Sequence, residues 1–292
     1  MARSFVESGH VLKAKSFFLK AHQAQPEDVD IIYDLALLAT DQDDYQEALK
    51  YYNRILEINP QEAGAYYGKA IIYDERGHLN KAVTHYLQAI DHDQAYYQAY
   101  LYLADVYDRK GQDDLADLYY KGAIEVDPHQ FWSYINYGSF LESHQEDHKA
   151  LEVLKQGQML FTDHYLLEFN LGVVLKKLGQ FEDSIKAYER AIDLKADYAY
   201  AYLNLAVLYK EQGSYDLGLD ILDRGLMANR ETAVLYYNRA ILRCHKSRYE
   251  EAGEDILQAV NLNPNLKGYA LEDEELEGIF KYTTINLNKE EK

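Results

Sequence analysis

Cysteine, proline and basic charge are all scarce in this 292-residue chain. Its one thiol, Cys244, cannot close an internal disulfide, which points to a reducing compartment. Lys and Arg number 30 against 49 Asp and Glu, a formal net charge of −19. The excess acid is spread evenly, with 12 basic and 22 acidic side chains in residues 1–130 and 18 and 27 in residues 131–292. Without clustered Lys or Arg, nucleic acid and anionic membrane are disfavoured as direct partners. No apolar run, the N-terminal MARSFVESGH included, has the length of a signal-peptide core or a membrane span, so the expectation is a soluble cytoplasmic protein. Catalytic signatures are missing too: there is no glycine-rich phosphate loop, no His-Glu-x-x-His and no cysteine pair. His144 and His148 straddle a turn between helices, and Cys244 beside His245 lacks a third group to orient it. The sequence predicts a non-catalytic protein with no catalytic residue, metal site or cofactor.

What is abundant is tyrosine, 29 residues of it, beside only 16 glycines, a composition that suits helices joined by tight turns. The four prolines, Pro26, Pro60, Pro128 and Pro264, are separated by 34, 68 and 136 residues, all multiples of 34. A fixed period of this length marks a stacked repeat array. Seven repeats follow without insertion or deletion: 29–62, 63–96, 97–130, 131–164, 165–198, 199–232 and 233–266. Place eight of each is Ala or Gly, from Ala36 to Ala240, and place twenty is Ala, Ser or Gly, from Ala48 to Ala252. Such residues let two antiparallel helices cross closely. Place twenty-seven is small in six of the seven, Ile55 being the exception. Tyrosine recurs at place four (Tyr66, Tyr100, Tyr134, Tyr202, Tyr236) and place twenty-four (Tyr52, Tyr86, Tyr120, Tyr188). Gly77, Gly111, Gly179 and Gly213 stand where the first helix should end with a positive φ.

This pattern resembles the tetratricopeptide repeat over about nine tenths of the chain. The resemblance implies an all-α fold, a right-handed α-solenoid of antiparallel helix pairs. Glu168 at place four, and Lys69 and Arg239 at place seven, depart from the pattern and put local packing in question. Counting backwards, Gly9, Ala14, Phe18, Ala21 and Pro26 fit an earlier repeat within residues 1–28 whose first helix is expected to be cut short. After the array, residues 267–282 read as one capping helix with Leu271, Leu276, Ile279 and Phe280 on its apolar side, and 283–292 as a flexible tail.

In this family the first helices line a concave groove, with places 2, 5, 6, 9, 12 and 13 facing into it. Place six holds Asn136, Asn170, Asn204 and Asn238 in four consecutive repeats, after Asp34, Gly68 and Tyr102 in the first three. An asparagine amide both accepts and donates, so a line of them can grip a peptide main chain whatever its side chains. The arrangement resembles the asparagine ladder in the repeat superhelix of O-linked N-acetylglucosamine transferases. A plainer reading is that asparagine keeps an open groove soluble. Around it, Phe169, Leu203 and Tyr237 at place five, with Val173 and Val207 at place nine, form an apolar floor.

Groove places of the first three repeats are acidic, with Asp34, Asp74, Asp105 and Asp108 prominent, while the fifth and sixth repeats bring Lys176, Lys177 and Lys210. The resulting expectation is an extended protein or peptide partner with basic residues toward the first repeats and neutral or acidic ones toward the lysines. Two alternatives stay open: homodimerisation through an N-terminal edge bearing Leu12, Phe17 and Phe18, and a sensor that closes on a short free peptide. A clamp for a chaperone's C-terminal carboxylate is disfavoured, since place five is never lysine and place nine never asparagine.

Overall fold

The computed structural model describes residues 11–285 and residue 287, Val11 and Leu12 by backbone alone. Among the described residues there are seventeen α-helices, one 3-10 turn and no strand, and the fold is an all-α helical-repeat solenoid. Helix α1 (Val11–Ala24) comes first among the described residues. Seven pairs follow: α2/α3 (Val29–Asp41, Tyr45–Ile58), α4/α5 (Ala63–Glu75, Leu79–His92), α6/α7 (Tyr97–Arg109, Asp113–Val126), α8/α9 (Phe131–Ser143, Asp147–Leu160), α10/α11 (Tyr165–Lys177, Phe181–Leu194), α12/α13 (Ala199–Glu211, Tyr215–Ala228) and α14/α15 (Ala233–His245, Tyr249–Leu262). Every first helix runs from place 1 to place 13 and every second helix from place 17 to place 30 of the 34-residue period. Contacts divide the chain into two compact units, Met1–Tyr137 and Gly138–Lys292.

Within each unit the small residues lie where two helices cross. Ala36, Ala70, Ala104, Ala48, Ala82 and Ala116 are fully buried in the first unit, as are Ala240, Ala150 and Ala252 in the second. A Cβ added to Gly172 would fall 2.6 Å from the Tyr188 ring, which shows how closely the place-twenty-four side chain fills the crossing. Where serine replaces alanine, at Ser184, its buried hydroxyl donates to the Gly172 carbonyl at 2.7 Å. Tyrosine at place four closes the repeat behind it: Tyr66 donates to the Pro60 carbonyl at 3.2 Å and Tyr134 to that of Pro128 at 3.0 Å.

Two of the three departures from the repeat pattern are compensated by charge. Glu168 is 3% exposed, and its carboxylate accepts from Gln158 (2.9 Å) and Arg190 (3.2 Å). Arg239 forks onto the buried Asp255 (2.9 and 2.6 Å), which Arg243 also holds at 2.7 Å. Lys69 is half-buried, and desolvation lowers its pKa from the ordinary lysine value.

Two expectations at the chain ends change. The segment 267–282 is not one helix but α16 (Leu266–Glu272), a 3-10 turn (Glu274–Leu276) and α17 (Glu277–Tyr282). Asp273 makes the break: its carboxylate accepts from the Glu275 N–H at 2.9 Å and from the Tyr237 hydroxyl at 2.8 Å, and its own backbone is extended. The break turns Leu276 and Ile279 fully inward and leaves Leu271 exposed. Of the tail expected to be flexible from residue 283, Ile285 and Leu287 join the core formed by Ile241, Cys244 and Ile256, and residues 286 and 288–292 lie outside the described residues. At the other end Phe18 is buried against Leu35 and Leu38, so of the residues expected on a dimerising edge Phe17 remains exposed, and the Leu12 side chain lies outside the described residues.

All seven first helices end alike. The residue at place sixteen donates its N–H to the carbonyl five residues back, as His78 does to Tyr73 (2.8 Å) and Glu146 to Leu141 (2.8 Å), which forces the residue between helices to positive φ. Gly77, Gly111, Gly179 and Gly213 take this conformation at 66–72°, but so do Asp43, Gln145 and Ser247 at 58–62°. A side chain there costs about 1 kcal/mol. Gln145→Gly and Ser247→Gly are expected to stabilise the protein by roughly that amount each, and Gly77→Ala to destabilise it similarly, as read by urea unfolding.

Candidate protein-interaction face

First helices of neighbouring repeats touch one another within each unit, α2 with α4 in the first, and α10 with α12 and α12 with α14 in the second. Of the places expected to face a groove, some are partly open, as at Tyr200, Leu203, Asn204, Val207 and Lys210, and others are buried, as at Leu101, Ile241 and Cys244. In the second unit Asn170, Asn204 and Asn238 are half-buried and share one pose. Each donates Nδ2 to the carbonyl four residues earlier on its own helix: Asn170 to Leu166 at 2.7 Å, Asn204 to Tyr200 at 2.9 Å and Asn238 to Val234 at 2.9 Å. That bond uses one N–H, pins the amide against the helix, and leaves a second N–H and the Oδ1 lone pairs for another partner. Asn136, in the first unit, is also half-buried.

The apolar floor is shared between face and core. Phe169, Leu203 and Val173 pack on the cluster of Tyr188, Leu205 and Leu222 while staying partly open, and Val207 is half-buried. Tyr237 lies against the capping segment with its hydroxyl on Asp273. Larger open surfaces come from residues that the sequence reading did not single out as binding residues: Trp132 and Tyr200, both at place two, are each 55% exposed, and Tyr102 at place six is 42% exposed. The signal for all three was available, an aromatic side chain at a groove-facing place.

Charge on the face is organised by pairs formed within each unit. Lys176 meets Glu211 at 2.7 Å, Lys177 meets Glu142, and Lys210 meets Glu275 at 2.9 Å. The lysines expected to receive acids from a partner therefore already have acids of their own chain. In the first unit Arg109 bridges Asp74 and Asp105, donating Nε to Asp105 at 3.0 Å. Burial raises the Asp105 pKa above the ordinary aspartate value against the pull of Arg109. Asp34 and Asp108 are half-buried on α2 and α6. At the last repeat Cys244 is buried, which pushes its thiol up to about 11. His245 stacks on Tyr215 with ring centres 4.7 Å apart and shares Glu275 with Lys210.

With this geometry in hand, comparisons with known proteins agree on one class. Family models described as tetratricopeptide repeat match residues 28–95 and 67–130, and one described as TPR repeat matches 169–213. The chain belongs to the tetratricopeptide-repeat family. Among solved structures it resembles a tetratricopeptide repeat protein from Parabacteroides merdae (16% identity, TM-score 0.61, covering 86% of this chain and 98% of that one). It also resembles PilF of Pseudomonas aeruginosa (20%, 0.58, 76% and 98%) and the APC/C hetero-tetramer Cut9-Hcn1 (18%, 0.57, 93% and 52%). The chain thus spans about half the length of the Cut9-Hcn1 chain it matches. At these identities the likeness is one of fold. No curated protein matches the sequence. No helix among the described residues is long and apolar enough to cross a membrane.

The cap is held by charge as well as by Leu276 and Ile279. Burial works against ionisation of Glu275, but its bonds to Lys210 and His245 prevail and set its pKa below the ordinary value of 4.5. A depressed carboxylate stabilises the fold above its unfolded pKa and loses that contribution as pH falls through the folded one. Glu275→Gln is expected to lower the melting temperature at pH 7, with the gap to wild type closing as the pH falls below the ordinary value of 4.5; a gap independent of pH would show that the carboxylate charge is not what holds the cap.

Proposed function

We propose that this protein is a non-catalytic scaffold that holds an extended segment of a partner protein against its first helices, with asparagine amides gripping the partner's main chain. The observation that carries this reading is the common pose of Asn170, Asn204 and Asn238, each tied back to its own helix and each with hydrogen-bonding capacity left over. Neighbouring helices pack about 8–10 Å apart and an extended chain covers about 3.3 Å per residue, so one repeat step corresponds to roughly three partner residues. Membership of a repeat family whose structures act by binding proteins supports the same reading.

Neutral hydrogen bonds contribute about 0.5–1.5 kcal/mol each, so the amides set the path of the bound chain while apolar contacts supply most of the affinity. Phe169, Leu203, Val173 and Val207 fit that second role, with the exposed ring of Tyr200 beside them. Because the lysines of this unit are already matched by glutamates, binding there rests on the amides and the apolar side chains.

Replacing Asn136, Asn170, Asn204 and Asn238 by alanine tests the proposal. Alanine favours helix and removes only the amides, so circular dichroism is expected to stay unchanged while capture of the partner in side-by-side co-purification falls at least tenfold. Undiminished capture by the folded variant would overturn the reading.

A further inference from the structure

The first unit carries something different at the same places. Where later repeats have asparagine at place six, the third has Tyr102, and its ring is the exposed edge of a tyrosine cluster. Tyr67 meets Tyr102 edge to face with ring centres 5.9 Å apart, and Tyr86 lies under Tyr102 with the two rings nearly parallel, 14° apart at 6.4 Å. One turn along α6 from Tyr102 stands Asp105, and Arg109 ties it to Asp74 of the preceding repeat. One guanidinium for two carboxylates leaves this trio with an excess negative charge beside an open aromatic face.

A second, independent feature points into the same place. Tyr86 is fully buried, yet its hydroxyl has no hydrogen-bond partner. The groups whose charges act on that hydroxyl are Asp74, Arg109 and the phenols of Tyr67 and Tyr102, so it lies beneath the cluster. Burial keeps both Tyr67 and Tyr86 protonated well above the ordinary phenol range, so they act as neutral rings and hydrogen-bonding groups.

We propose that Tyr67, Tyr86 and Tyr102, with Asp74 and Asp105, form a subsite for an arginine side chain of the partner segment. A guanidinium suits it better than an ammonium, being planar, weakly hydrated, able to stack on a tyrosine ring and able to fork between two carboxylates. Arg109 already shows that the carboxylates of this site accept that group. Charge complementarity runs the same way over the inner helices of this unit, where Asp30, Asp41 and Glu75 add to the acid and Arg109 is the cation at the groove-facing places. The inference rests on the groove-binding reading above and adds the residue type that the first repeats select.

The test uses the whole chain and two labelled dodecapeptides, (Gly-Ser-Arg)4 and (Gly-Ser-Lys)4, compared by fluorescence anisotropy at 0.15 M salt. Both carry four positive charges, so attraction to a chain of net charge −19 cancels in the ratio of their affinities. Wild type is expected to prefer the arginine peptide about fivefold. Tyr102→Asn, which installs the residue later repeats already carry there, is expected to bring the ratio close to one, and Tyr102→Phe to preserve it. A wild-type ratio near one, a ratio that Tyr102→Asn leaves unchanged, or no binding of either peptide would overturn the subsite. Alanine at Asn170, Asn204 and Asn238 separates the two proposals. If main-chain gripping is right, both affinities drop together at constant ratio; if only the arginine subsite is right, neither drops and the ratio still depends on Tyr102.

Discussion

Two helix backbones cross in every repeat so closely that only a hydrogen, a methyl or a hydroxymethyl fits between them, and the rest of the structure depends on that crossing. With place eight and place twenty small, the large side chain at place twenty-four can enter from the second helix and be buried, as Tyr52, Tyr86, Tyr120 and Tyr188 are. Fully burying a side chain of that class contributes on the order of 2 kcal/mol, which makes the crossing the main source of cohesion in each repeat. It also fixes the rotation of the first helix about its own axis. Once places 8 and 24 face each other, places 2, 6 and 13 turn away from the crossing, while place 5 borders it, as Phe169 does beside Tyr188 at 5.9 Å.

That surface carries different chemistry in each unit. In the second unit the repeated element is an amide held in one pose by its own helix, bordered by half-buried apolar side chains and by lysines matched with glutamates. It has little means of telling one side chain from another. In the first unit Tyr102 and the Asp74–Arg109–Asp105 bridge present an aromatic ring and uncompensated acid, which are groups that read side chains. Reading a main chain and reading a side chain need different residues at the same place of the repeat, and in the function proposed for this chain asparagine and tyrosine supply them.

The register was legible because a strict period multiplies each local signal seven times. Helix boundaries follow from it, including those of α1, whose Ala14 and Phe18 occupy their places in the core. Asp43, Gln145 and Ser247 could be seen to replace glycine, but their positive φ is imposed by hydrogen bonds closing the helix end and is not a preference of those residues. The cap was misjudged as one helix because Leu276 and Ile279 suit helical spacing, whereas the run Glu272–Glu275 and the two bonds accepted by Asp273 favour a break. The partners of the groove lysines were missed for a different reason. Lys176 and Glu211 are one repeat plus one residue apart, a separation that brings side chains together only once the repeats are stacked.

The central claim is that partner segments bind along the first helices through the place-six amides. The most direct measurement is the side-chain amide spectrum of the 15N-labelled chain during titration with a partner segment. The account predicts that the Nδ2 resonances of Asn170, Asn204 and Asn238 shift together and saturate at one equivalent. Shifts confined to outward residues of the second helices, such as those around the exposed Met159 and Met227, with the three amides unmoved, would contradict it.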